Sequence, residues 1–173
     1  MKKTVMLAAA FFFAASPCLA DTVKVPVNKV SPDGIGEEIG SVTFVDVPDG
    51  MDILVDIAAL PPGEHGMHIH VNPSCEPAMQ DGKSVAALAA GGHWDPAETK
   101  AHKGPGHEGH KGDLPFITAN ANGAAQQQLS VKGIATKDIK GRSIMIHAGG
   151  DNYSDNPAPL GGGGARIACG VIK

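Results

Sequence analysis

Glu64-His65-Gly66-Met67-His68-Ile69-His70-Val71 is the stretch on which the reading of this chain turns. In an extended strand alternate side chains share a face, so His68 and His70 point one way and Met67, Ile69 and Val71 the other. The apolar face suits a core. Two imidazoles then converge on the opposite surface, where the rest of the chain must cover them or supply further ligands. His65 stands at the strand's start, off the His68/His70 face, and reads as a structural histidine.

The flanking pattern is one of short strands. Residues 22–30 alternate strictly, with Val23, Val25 and Val27 on one face, and Pro26 argues for an edge or a bulge. Residues 39–47 form a second strand, Pro48-Asp49-Gly50 a turn, residues 51–60 a third strand, and Pro61-Pro62-Gly63 a break before the histidines. After them the pattern stops over residues 72–112. So long an irregular run in a compact domain is a functional loop when it carries chemistry. This one holds Cys75, His93, His102, His107 and His110, with a short helical turn expected in the alanine-rich residues 84–90. Strands resume at 114–119 and 126–131 around the Asn120-Ala121-Asn122-Gly123 turn. After an irregular 132–142 comes 143–148, with Ile144, Ile146 and Ala148 on one face and Met145 and His147 on the other. A second loop, 149–164, is rich in Gly, Asp, Asn and Pro, and residues 166–172 form a last strand. Eight short strands with hardly a helix predict an all-β antiparallel sandwich or barrel carrying two long functional loops.

The first twenty residues are expected to be removed. Lys2 and Lys3 precede the apolar run Val5 to Ala15, and Ser16-Pro17-Cys18-Leu19-Ala20 ends in a small residue suited to cleavage before Asp21, the pattern of a secretory signal. The run is too short for a membrane anchor. Acylation at Cys18 is disfavoured by Pro17. Residues 21–173 are one domain, with 12 basic against 18 acidic residues and a net charge of -6, which argues against a nucleic-acid partner. Two cysteines remain, Cys75 and Cys169, and export to an oxidising compartment makes a disulfide between them the default.

Metal chemistry follows from the remaining histidines. His147 lies on a strand of matching alternation, and the long loop adds His93 after Gly91-Gly92, His102, and His110-Lys111-Gly112-Asp113. Six nitrogen donors and one carboxylate exceed the needs of one ion, so two are implied. Three histidines and an aspartate suit tetrahedral zinc, an imidazole cluster suits copper, and neither calcium nor magnesium chooses so many nitrogens. An imidazole shared between the two ions needs a flexible, glycine-flanked position, which His93 has. His107 reads as solvated, Met67 as core filling and Trp94 as loop packing. The Gly161 to Gly164 run precedes a strand rather than a helix, so it is no phosphate loop.

The motifs Gly66-Met67-His68-Ile69-His70, Gly92-His93-x-Asp95-Pro96, His102 to Gly112-Asp113-Leu114-Pro115, His147-x-Gly149-Gly150-Asp151-Asn152 and Leu160-Gly161-Gly162-Gly163-Gly164-x-Arg166-x-Ala168-Cys169-Gly170 resemble those of copper/zinc superoxide dismutase in its bacterial periplasmic form. The resemblance implies an eight-stranded Greek-key β-barrel holding one copper and one zinc ion per subunit. It implies copper on His68, His70, His93 and His147, zinc on His93, His102, His110 and Asp113, and His93 as bridge. Asp151 would join His68 to His102, and Arg166 would dock superoxide beside copper, steadied by the Cys75 to Cys169 bridge. The implied reaction is dismutation of superoxide in the periplasm, with His93 carrying a proton. Lys83 is a candidate for steering the anion against the net negative charge. The protein would be a monomer or homodimer without a membrane span. The competing readings are a non-catalytic periplasmic copper/zinc-binding protein, which has no need of Arg166, and a copper-only protein, against which His102, His110 and Asp113 argue.

Overall fold

The computed structural model describes residues 20–173, so the expected leader lies outside the described residues but for Ala20. The strands are β1 (Thr22–Ser31), β2 (Gly34–Val47), β3 (Gly50–Ile57), β4 (Gly63–His65), β5 (Met67–His70), β6 (Ala78–Gln80), β7 (Lys83–Val85), β8 (Ile117–Ala119), β9 (Ala125–Lys132), β10 (Arg142–His147) and β11 (Arg166–Ile172). Seven form one antiparallel sheet in the order β5-β10-β11-β1-β2-β3-β9. The histidine segment is the closing piece. Its first half, β4, pairs with β8, and its second half, β5, pairs with β10 in the register Met145 to His68 and Ser143 to His70. The strand changes neighbours at Gly66, whose amide donates to Gly149 O and whose carbonyl accepts from His147 N. A side chain there would crowd His68 Cε1 at 3.1 Å and Gly150 O at 3.3 Å, so the handover needs glycine.

Alternation builds the core as expected. Val25, Val27, Val42, Phe44, Ile53, Met67, Ile69, Ile144 and Ile146 are buried in one cluster inside the curled sheet. Val71 departs from its predicted place. It stands one residue beyond β5 and is exposed, because the strand ends at His70 and the chain turns outward. Pro26 is not at an edge: β1 lies between β11 and β2, and the register with β2 slips immediately afterwards, between Val27 and Asn28. β2 also begins earlier than the alternation indicated, at Gly34, forming a tight hairpin with β1.

The loop over residues 72–112 folds over the other face of β10 and β11. It carries the β6–β7 hairpin and a short 3-10 turn at Leu88–Ala90, where the alanine-rich run anticipated one. Ala87, Ala90, Met145 and Val30 pack around Cys75 and Cys169, which form a disulfide with Cα atoms 5.7 Å apart across 94 positions of sequence. The 132–142 segment contains one helical turn, Thr136–Ile139, whose first amide and Thr136 hydroxyl donate to the Asp46 carboxylate.

Cross-linking so long a loop restricts the unfolded chain, an effect worth roughly 4 kcal/mol in the chain-entropy account. The double substitution Cys75→Ser and Cys169→Ser is therefore expected to lower the unfolding free energy by about that much. Chemical denaturation of the folded variant measures it.

Candidate metal centre

β5 has a second edge, away from β10, and two parts of the long loop, its middle at Gly92 to Trp94 and its end at Gly112, hydrogen-bond to it. Trp94 N donates to Ile69 O at 2.8 Å, Ile69 N to Gly112 O at 2.8 Å, and Gly112 N to Trp94 O at 2.8 Å. Val71 N donates to Gly92 O at 3.1 Å. These bonds set His93 opposite His70 and Asp113 opposite His68 as antiparallel bridges. His147, from the end of β10, completes the cluster, and His102 and His110 lie between the loop's two pinned points, Trp94 and Gly112. The chain thus brings together all six histidines and the aspartate that the sequence singled out, and each is at least nine-tenths buried.

Ring orientations are fixed from outside. His68 Nε2 donates to Asp151 Oδ2 at 2.8 Å and His102 Nε2 to Asp151 Oδ1 at 2.7 Å, so one carboxylate ties two rings on different elements. His70 Nδ1 donates to Gly91 O at 2.8 Å and His147 Nδ1 to Gly164 O at 3.0 Å. Each of these four rings, held at one nitrogen as a donor, offers a lone pair on the other. Those other atoms, His68 Nδ1, His70 Nε2, His102 Nδ1 and His147 Nε2, have no hydrogen-bond partner, and nor do His93 Nε2 and His110 Nδ1. Six orphaned buried nitrogens in one place each forgo a hydrogen bond worth having, unless an ion takes the lone pair.

The donors fall into two overlapping sets. Ligand atoms of His68, His70, His93 and His147 all lie within 4.8 Å of one another, as do those of His68, His93, His102 and Asp113. His68 and His93 belong to both. The His93 ring stacks on His68 with centroids 3.9 Å apart and lies 5.1 Å from His70, 5.5 Å from His102 and 5.3 Å from His110. On the second side the Asp113 oxygens sit 3.1 Å from His93 Nδ1, 3.0 Å from His102 Nδ1 and 3.5 Å from His110 Nδ1. The His102 contact is close but too poorly aligned for a hydrogen bond. Tetrahedral zinc with bonds of about 2.0 Å spaces its ligand atoms about 3.3 Å apart, so these separations are those of donors arranged round an ion. His68 has its Nε2 occupied by Asp151 and so has one free nitrogen, Nδ1, to give to either set, whereas the His93 ring turns Nδ1 to Asp113 and leaves Nε2 for the other set.

Electrostatics separates the two halves. Burial, opposed by the Asp151 hydrogen bond, pushes the His68 imidazole down to about 3, and burial pushes His147 down to about 4. His70 and His93 are lowered by burial as well. All four are neutral ligands at physiological pH. His102 goes the other way: burial alone would lower it, but Asp113 and Asp151 outweigh that and raise it to about 9. Burial would raise both carboxyls, yet the close His102 ring and the His93 hydrogen bond at Asp113, and the hydrogen bonds from His102 and His68 at Asp151, hold them well below the usual range.

Arg166, half-buried at the start of β11, donates from Nη1 to Ala87 O at 2.6 Å and from Nη2 to Gly91 O at 2.7 Å. Burial lowers its pKa, though a guanidinium stays charged throughout the working range. The Gly91 carbonyl therefore holds Arg166 and the His70 ring together. His65 bonds both its nitrogens to backbone carbonyls, of His147 and Pro61, and takes no part in the cluster. His107 and Lys83 are exposed. Residues that sequence reasoning did not find are Asp155, whose carboxylate accepts from His102 N and Leu160 N and so joins the two loops, and Tyr153, whose hydroxyl accepts from Phe116 N. Nothing in the spacing marks either. Gly161 covers the Asp151–His102 bond so closely that a Cβ would fall on Asp151 Oδ1. A cleft of about 630 Å³ beside Lys29, Glu37 and Leu60 holds none of these groups.

The family model of copper/zinc superoxide dismutase matches residues 38–172. The chain is 48% identical to the superoxide dismutase [Cu-Zn] of Brucella melitensis over 176 aligned positions, covering all of both chains. The structure of Cu/Zn superoxide dismutase from Brucella abortus superposes with a TM-score of 0.86 at 49% identity, covering 88% of this chain and all of that one. The monomeric copper, zinc superoxide dismutase from Salmonella enterica superposes with a TM-score of 0.78 at 49% identity over the same shares.

The pKa directions predict the stability of the metal-free protein. His68 and His147 bind protons less readily folded than unfolded, so stability falls as pH drops below about 6.5 toward 4 and 3. The raised His102 contributes stability that is complete below about 6.5 and lost as pH rises through 9. Calorimetry of the metal-free protein is expected to give a melting temperature that peaks near pH 6.5 and declines on both sides. Gly161→Ala should weaken zinc retention in a chelator competition by about tenfold, by displacing Asp151 from His102.

Proposed function

The chain belongs to the copper/zinc superoxide dismutase family, and from that premise we propose how its own residues divide the work. It is an oxidoreductase that converts two superoxide anions and two protons to oxygen and hydrogen peroxide, with copper and zinc as its cofactors. The observation that carries the reading is the set of partnerless ring nitrogens converging in two groups that share His93.

His68, His70, His93 and His147 hold copper, and His93, His102, His110 and Asp113 hold zinc. Bound copper supplies a one-electron couple that alternately oxidises and reduces superoxide, while zinc, which has no redox chemistry, supplies a fixed charge. Asp151 keeps the His68 and His102 rings facing their pockets. Arg166, fixed by two carbonyls, docks the anionic substrate, and its location next to the His70 anchor favours that role. His93 is the side chain placed to hand a proton to the reduced substrate, since its Nε2 faces the His68, His70 and His147 group while Nδ1 stays on the Asp113 side. Arg166 and the copper pocket give the local positive potential that an acidic protein needs to attract an anion.

The residues 1–20 act as a cleaved export signal and residues 21–173 as the dismutase domain in the periplasm. The leader's composition and the disulfide support this, since such bridges persist in oxidising compartments. Among the described residues no helix is long and apolar enough to cross a membrane. The acidic balance gives nucleic acid no binding surface of the usual kind.

Arg166→Leu is expected to lower kcat/KM for superoxide by about tenfold or more, with copper and zinc contents unchanged by elemental analysis. Unchanged dismutation in this variant would refute the docking role. In the wild type, the second-order rate constant should fall as ionic strength rises, because salt screens the attraction of the anion. A flat salt profile in pulse radiolysis would exclude steering.

A further inference from the structure

Arg142 opens β10 and has no role in the chemistry above. Among the described residues it makes no ion pair. Instead its guanidinium carbon lies 4.4 Å from the centroid of the Trp94 ring, its Nε donates to Asp138 O at 3.1 Å, and its Nη1 donates to Val71 O at 3.3 Å. Trp94 directly follows His93, and Val71 N donates to the carbonyl of Gly92, which directly precedes it. One cation therefore grips the chain on both sides of His93: the indole after it, and through Val71 the peptide before it.

We infer that Arg142 is a positioning residue for the shared imidazole, holding Trp94 and the Gly92 peptide so that His93 presents Nε2 to one pocket and Nδ1 to the other. His93 is the ligand most sensitive to such a hold. A tilt of its ring moves its two nitrogens in opposite directions, so a small change in backbone angle disturbs both donor sets at once. His68, His70, His102 and His147 are each steadied by a hydrogen bond at the nitrogen away from the cluster, to Asp151, Gly91 O or Gly164 O, whereas both nitrogens of His93 face inward, Nδ1 on Asp113 and Nε2 without a partner. No hydrogen bond from behind sets this ring, so its orientation draws on the backbone at either side. A guanidinium suits the task because its plane can stack on an indole while its edge donates to carbonyls, which a lysine ammonium cannot do simultaneously. The inference rests on the reading of His93 as the shared ligand.

The test compares Arg142→Met, which keeps the apolar stem, with Arg142→Lys. In the metal-free proteins, amide hydrogen exchange at Val71 and Trp94 is expected to quicken by about tenfold, with Val42 and Phe44 in β2 unchanged. In the loaded proteins the copper(II) EPR spectrum is expected to shift and the copper dissociation constant to rise by about tenfold, with lysine restoring neither. Wild-type exchange at Val71 and Trp94, or faster exchange in β2 as well with an unaltered EPR spectrum, would overturn the inference by reducing Arg142 to a support of the fold. Should Arg142→Met fail to fold, Trp94→Leu removes the stack and leaves Arg142 in place; it is expected to shift the EPR spectrum likewise, and an unaltered spectrum would overturn the inference. His93→Ala separates the two levels. Weakened binding of both ions upholds the shared ligand, while weakened binding of one alone refutes that reading, whatever the Arg142 variants show.

Discussion

The metal cluster depends on the free edge of β5. A strand edge left open presents unpaired amides and carbonyls, a liability for any sheet. Here the edge is closed by the middle and the end of the long loop, through Ile69, Gly112 and Trp94 and through Val71 and Gly92. Backbone pairing thus delivers the ligands: His93 arrives beside His70 and Asp113 beside His68 because their peptides are in register, before any side chain meets another. A loop of that length could adopt many paths, and two short bridges are what make its ligand-bearing parts part of the sheet.

The same closure creates an energetic debt that only an ion removes. Burying an imidazole nitrogen without a partner costs about 1–3 kcal/mol, and six such nitrogens are gathered here. The cluster is tolerable because it sits on a core that is stable for other reasons, with Met67, Ile69, Ile144 and Ile146 behind the histidines and a disulfide fastening the loop. The rings of His68, His70, His93 and His147, held neutral and preset, need not reorganise when an ion arrives, so binding free energy goes into stabilising the folded state. The two carboxylates play opposite parts. Asp113 lies among the orphaned nitrogens, whereas Asp151 stands behind them and turns two rings to face inward.

Much of this was legible beforehand. Period-two alternation placed His68 and His70 together and separated His147 from Ile144 and Ile146, because one face of each strand had to be apolar. The histidines and Asp113 were identifiable by donor type, and Cys75 and Cys169 by being the cysteines left after the leader. Strand ends were less legible: Val71 fits the alternation but lies past the turn, and β2 extends back to Gly34 through residues with no apolar face. Pro26 announced an edge or a bulge, and the structure chose the bulge, since a proline at a register slip looks the same in sequence as one at an edge. Least legible were contacts made by backbone carbonyls, such as Gly91 O and Ala87 O, and by Asp155, since neither residue type nor spacing announces them.

The two loops consequently act as one structure. Asp151 comes from the second loop yet orients His68 on β5 and His102 in the first loop, and Asp155, four residues later, fixes the His102 peptide as well. Arg166 follows the second loop but is held by carbonyls of the first, one of which also anchors His70. A disturbance on the zinc side of His93 can therefore reach the substrate arginine by two routes, through the shared ring and through the Asp151–Gly161 segment. Because each loop's site residues are held by groups of the other, neither loop can take up its place alone, which is why two of the longest connections in the chain converge on one small cluster.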